Sequence, residues 1–128
     1  MSVVGVGVDA LEIARMRAAL TRTPSLAVRL FTDAERATCT SRHGDLRIGG
    51  LAARFAAKEA VAKAFGTGVR GFSFRDVEVR SDALGKPEVV LHNGAAAVAQ
   101  RLGVARVHVS LSTSAELALA HVVAEGTR

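Results

Sequence analysis

Tryptophan and tyrosine are missing from this sequence, and five phenylalanines are its only aromatics. Binding of single-stranded nucleic acid usually joins a basic groove to aromatic platforms. With few rings, and with bases spread along the chain instead of clustered, that function is disfavoured. A single cysteine, Cys39, excludes an intrachain disulfide and suits a reducing cytoplasm. No apolar run nears the length a bilayer requires. Residues 3–8 are too short for a secretory segment and lack its basic leader. Internal repeats, low-complexity segments and linkers are also missing.

What remains is one domain, residues 1–128, able to bury on the order of two-thirds of its unfolded surface. Alanine and valine supply most of the 49% hydrophobic residues, and a core of such small side chains is thin. Neighbouring subunits are therefore expected to complete it. The net charge is +5, and fourteen of the seventeen bases are arginine. This predicts an anionic partner, because arginine suits bidentate contact with phosphate or carboxylate. Nucleic acid, a phosphorylated cofactor and an acidic protein would all satisfy it.

Periodicity gives a mixed α+β pattern with antiparallel strands. Residues 3–8 read as a buried strand. Leu11, Ala14 and Ala18 mark a helix face that Pro24 closes off, and a second helix from about Ser25 is interrupted near Thr32, where Thr32-x-x-Glu35 has capping-box form. Residues 40–50 form a loop, overlapping the start of a long helix over Ile48–Phe65. Strands Val77–Arg80 and Glu88–His92 flank the turn Asp82-Ala83-Leu84-Gly85, a short helix spans Ala95–Leu102, and Arg106–Ser112 and Glu116–Ala124 form a hairpin. Gly5-x-Gly7-x-x-Ala10 matches the dinucleotide-binding fingerprint in letters, but no βαβ unit closes after it.

The long helix carries the chemistry. In Arg54-Phe55-Ala56-Ala57-Lys58-Glu59-Ala60-Val61-Ala62-Lys63-Ala64-Phe65-Gly66-Thr67-Gly68, Glu59 and Lys63 share a face, and Gly66 supplies the left-handed residue that ends the helix. A carboxylate beside an ammonium suits a substrate that brings phosphates together with a hard cation such as Mg2+. Spacing alone equally fits a surface pair worth a few tenths of a kcal/mol.

The run RFAAKEA followed by KAFGTG is similar to the signature of the bacterial holo-acyl-carrier-protein synthases. Further stretches fall in that family's order: Gly5 to Asp9 with Glu12, Ile13 and Arg15; Phe31-Thr32 with Glu35; Asp76 to Val79; Gly85-Lys86-Pro87; and Val107 to Ser112. Together they span nearly the whole chain. The resemblance implies the 4'-phosphopantetheinyl transferase fold, with a long helix packed on a mainly antiparallel sheet, assembled as a homotrimer with sites at subunit interfaces. It implies a cytoplasmic enzyme of fatty acid biosynthesis. Such an enzyme transfers 4'-phosphopantetheine from coenzyme A to a serine of apo acyl carrier protein, depends on Mg2+ and releases 3',5'-ADP. Neither nucleic acid nor a membrane is an expected partner. The alternative is a non-enzymatic module on the same fold that binds carrier protein or nucleic acid.

Carried onto this chain, the resemblance makes Asp9 and Glu59 the Mg2+ ligands and Asp9, Glu59 and Lys63 the catalytic set, with Glu59 also the candidate base for the serine proton. Asp9-x-x-Glu12 alone would read as a helix cap. Arg54, Lys63, Gly66, Lys86, Pro87 and Thr113 fall at cofactor-binding positions. Structural pairing for Arg54, solvation for Lys63 and a mere turn at Gly85-Lys86-Pro87 are the competing readings. Arg15, Arg22 and Arg29 are candidates for docking an acidic carrier protein. Thr113 departs from the family, which usually carries histidine after the Ser-Leu-Ser run. His108 lies five residues away and so on the opposite strand face. His43, His92 and His121 have no metal-ligand spacing.

Overall fold

The structure, a computed structural model, describes residues 1–127. Its first strand, β1 (Ser2–Glu12), pairs antiparallel with the last, β5 (Leu117–Gly126), whose other edge pairs with β4 (Val104–Thr113). The spatial order is β1-β5-β4, so the central strand is the latest in the chain. Alternation along β5 explains its two faces. Ala118, Ala120, Val122 and Ala124 are buried inward, while Leu117, Leu119 and His121 are exposed outward.

The long helix, α4 (Ile48–Phe65), lies on the inner face. It is buried almost all round, as an Ala-rich helix enclosed on several sides must be. Its approach to β1 is set by two glycines. A Cβ on Gly5 would collide with the Ala64 carbonyl, and one on Gly7 with the Ala60 carbonyl. Small residues on both elements thus bring a helix backbone against a strand backbone.

A separate two-stranded sheet, β2 (Val77–Ser81) and β3 (Pro87–Leu91), packs near the other side of α4. Its turn is held by Asp82 Oδ1, which accepts from the amides of Leu84 and Lys86, and by Gly85 at φ 87°. Three short helices, α1 (Ile13–Arg22), α2 (Leu26–Leu30) and α3 (Asp33–Thr38), precede α4, and α5 (Asn93–Leu102) precedes β4. The expected interruption at Thr32 is present, with both halves of its capping box formed. Four of the strands run longer than expected, while β3 keeps its length and is shifted by one residue. In particular β1 continues to Glu12, so α1 begins at Ile13 and its N-cap, Glu12, makes no side-chain cap bond. The capping alternative for Asp9 therefore falls.

The core has two lobes that share α4: one between α4, the sheets and α5, the other around Phe31, Leu51 and Met16 beneath α1 to α3. Among the described residues, nothing covers the outer face of the three-stranded sheet around Val6 and Val8. Val6 and Val8 there are 54% and 52% exposed. No helix is long and apolar enough to cross a membrane among the described residues.

Candidate functional site

Asp9 projects from the same face of β1 as Gly5 and Gly7, so the contact that seats α4 also presents Asp9 to that helix. Lys63 answers it: its Nζ donates to Asp9 Oδ1 at 2.9 Å and to the Val8 carbonyl at 3.0 Å. Glu59, one turn earlier on that helix face, is half-buried. Burial pushes its carboxyl above the usual carboxylate range, the Asp9 carboxylate adds to this, and Lys63 opposes it. Residues fifty positions apart in sequence have become one acidic and basic cluster.

The donor set fits a particular kind of cation. Among the described residues no three His, Cys, Asp or Glu side chains gather as an all-protein metal cage needs. Asp9 and Glu59, two partly exposed carboxylates that repel one another, match the needs of Mg2+, which takes one or two carboxylates plus phosphate and water.

The remaining expected residues separate. Gly66 caps α4 in the left-handed region, its amide bonded to the Lys63 carbonyl, and lines an open pocket with Thr67, Gly68, Arg70 and Arg101. Lys86 and Pro87 sit at the hairpin tip and line a cleft of about 480 Å³ between β3 and β4, which also includes Arg106 and His108. Thr113 is the exposed last residue of β4, paired in register with Ala118. His108 does lie on the other face of β4, where it reaches Glu125 at 3.2 Å.

Arg54 turns away from Glu59, about 140° round the helix. It is buried, with Nη1 donating to the Gly50 carbonyl at 3.3 Å and Nη2 to Ser81 Oγ at 3.4 Å. Those contacts are the structural-pairing alternative for Arg54. Arg15 and Arg22 flank an apolar groove of about 360 Å³ floored by Leu11, Met16, Ala19, Leu26, Phe55 and Phe74. Arg29 is exposed on α2 and does not line it.

One polar cluster escaped the sequence reading. Lys58 is wholly buried and bonds Glu35, while Glu78 accepts from Thr32 Oγ1, from Arg80 Nε at 2.7 Å, and contacts His92 Nε2 at 3.1 Å. His92 therefore has a defined partner. The only advance signal was the capping box of Thr32 and Glu35.

The sequence matches the profile of the 4'-phosphopantetheinyl transferase superfamily over residues 5–120. The holo-[acyl-carrier-protein] synthase of Clostridium perfringens (strain 13 / Type A) is 44% identical over 128 residues, covering 97% of this chain and 95% of its own. The crystal structure of the Neisseria meningitidis holo-[acyl-carrier-protein] synthase superposes with a TM-score of 0.86 at 37% identity, covering 96% of this chain and 98% of that one. That of a holo-(acyl-carrier-protein) synthase from Bacillus anthracis str. Ames, in complex with CoA (3',5'-ADP), gives 0.79 at 34% identity, covering 99% and 100%.

Proposed function

The chain belongs to the 4'-phosphopantetheinyl transferase superfamily and is an enzyme of its holo-[acyl-carrier-protein] synthase branch, and we propose that it transfers 4'-phosphopantetheine from coenzyme A to a serine of apo acyl carrier protein in a Mg2+-dependent reaction that releases 3',5'-ADP. The observation that carries this reading is the convergence of Asp9, Glu59 and Lys63 from two distant segments. A non-enzymatic binding module has no observation in its favour.

Asp9 and Glu59 would hold Mg2+, which when bound neutralises pyrophosphate oxygens and the departing phosphate. Glu59 suits the base. Half-buried beside Asp9, its carboxylate stands where it can accept the serine proton, directly or through water. Lys63 is half exposed, so its ammonium can turn from Asp9 to a phosphate oxygen without leaving a buried charge unpaired. Gly66, Lys86, Pro87 and Thr113 line the donor's path in this reading, with Arg54 supporting the helix behind it.

Lys86 and Pro87 line a cleft with residues of β3 and β4, not with Asp9, Glu59 or Lys63, which is consistent with a site completed by a second copy. A homotrimer that covers the outer sheet face around Val6, Val8, Leu117 and Leu119 supplies one. Arg15 and Arg22, which line an apolar groove, suit an acidic carrier protein, with Arg29 a further candidate outside the groove lining. Fatty acid biosynthesis in the cytoplasm is the setting this chemistry implies.

The direct test is mass spectrometry of an apo acyl carrier protein incubated with the chain, coenzyme A and Mg2+. The phosphopantetheine mass gain, lost on chelation, is the expected result. No gain at any Mg2+ concentration would sink the proposal.

A further inference from the structure

The face of α4 that meets β1 carries few large side chains. Its contacts there are alanine backbone against Gly5 and Gly7, with one half-exposed polar tie from Lys63 Nζ to Asp9 and the Val8 carbonyl. Large side chains interlock as ridges and grooves and so fix a helix against its neighbour, and here that role falls to other contacts of α4. Yet the rotation of α4 decides whether Glu59 and Lys63 face Asp9.

The fastening lies on another side of the helix. Lys58 Nζ spends all three donors on fixed acceptors: Glu35 Oε1 at 2.8 Å, the Phe74 carbonyl at 3.0 Å and the Val77 carbonyl. Glu35 is itself fixed, for its two oxygens accept the amides of Thr32 and Val79, each at 2.9 Å. One side chain thereby ties α4 to the start of α3, to the 3-10 turn Phe74–Asp76 and to β2. The Phe31 ring closes the pocket, its centroid 5.6 Å from Nζ.

Stability alone does not account for such a pair, since replacing a buried ion pair by apolar residues is often neutral or stabilising. What the pair supplies is direction. Glu59 follows Lys58 by about 100° of helix rotation and Lys63 by about 140°. We infer that Lys58, held by Glu35, is a positioning residue for the transfer reaction: it indexes the rotation of α4 so that Glu59 and Lys63 are aimed at Asp9. This rests on the proposed site, and it adds that two residues outside the site set its geometry.

The test uses Lys58→Met combined with Glu35→Gln, which removes both charges with side chains of similar shape and keeps one acceptor. Turnover per folded molecule is measured well below the melting transition, alongside Mn2+ binding followed by electron paramagnetic resonance without coenzyme A. Displacing reacting groups by about 1 Å can cost on the order of 100-fold. A loss of 10-fold or more in kcat is expected, with weaker Mn2+ binding. A lowered melting temperature with unchanged kcat and Mn2+ binding would mean a structural role only, and would overturn the inference. If the double variant does not fold, Glu35→Gln alone decides by the same readouts. Asp9→Ala and Glu59→Ala run in parallel: if these retain turnover, the site reading and this inference fall together, whereas their loss beside an intact Lys58 variant sinks the inference alone.

Discussion

Asp9 is a residue whose meaning changes with one element boundary. By spacing it caps a helix; because β1 continues past it, it becomes a carboxylate presented to α4. Its pairing with Lys63 could not be read from sequence, since it depends on two glycines bringing distant backbones together. Asp9→Ala and Glu59→Ala should each lower turnover by at least about 10–100-fold, as loss of a metal ligand does, with folding preserved by circular dichroism. Thr113 is the second residue to test. Thr113→His supplies a donor that can become charged, so calorimetry should show tighter coenzyme A binding; unchanged binding would place this position away from the cofactor. Glu78 offers a pH handle. Burial alone would raise its pKa, but hydrogen bonds from Thr32, His92 and Arg80 outweigh that and hold it below the usual range. A depressed carboxyl stabilises the fold above its unfolded pKa of roughly 4.3 and loses that contribution as pH falls through the lower folded value. Melting temperature should therefore drop more steeply below about pH 4.5 in the parent than in Glu78→Gln. Parallel curves would show that this carboxyl is not linked to folding.

At the scale of elements, α4 was legible over Ile48–Phe65 because its composition and terminal Gly66 agree, and the split at Thr32 was legible because a capping box is a local signal. Strand lengths were not, since pairing partners decide them. The letters Gly5-x-Gly7-x-x-Ala10 illustrate the difference. They imitate a phosphate-binding fingerprint, but the glycines admit the carbonyls of Ala64 and Ala60. Gly7→Ala should cost at least about 1–3 kcal/mol, the usual range for overpacking, because backbone and not a yielding side chain stands in the way. Unfolding in urea measures this, and a cost under 0.5 kcal/mol, the surface-substitution level, would mean that α4 is free to shift. The Lys58 network was illegible for another reason: nothing in a sequence distinguishes a lysine turned inward from one turned to water.

The whole molecule carries its positive charge unevenly in consequence, if not in count. Arg15 and Arg22 border an apolar groove, whereas Arg54 is sequestered beside Ser81. Steering by exposed charge acts on association and is screened by salt. Charge reversal at Arg15 or Arg22 should raise KM for the carrier protein severalfold and flatten its salt dependence, leaving KM for coenzyme A little changed. Carrier kinetics untouched at both low and high salt would place docking elsewhere.

The order β1-β5-β4 also says something about time. The middle strand of the sheet is the last described element to leave the ribosome, and its register joins Ser2 to Gly126. Until it arrives, β1 and β4 have no shared partner and the Ala-rich side of α4 has no sheet to rest on. Such long-range pairing slows folding, and the waiting segments offer unpaired edges to one another and to neighbouring nascent chains. Assembly of this domain is thus a late event in its synthesis, and the interval before it is when the chain most needs protection from aggregation.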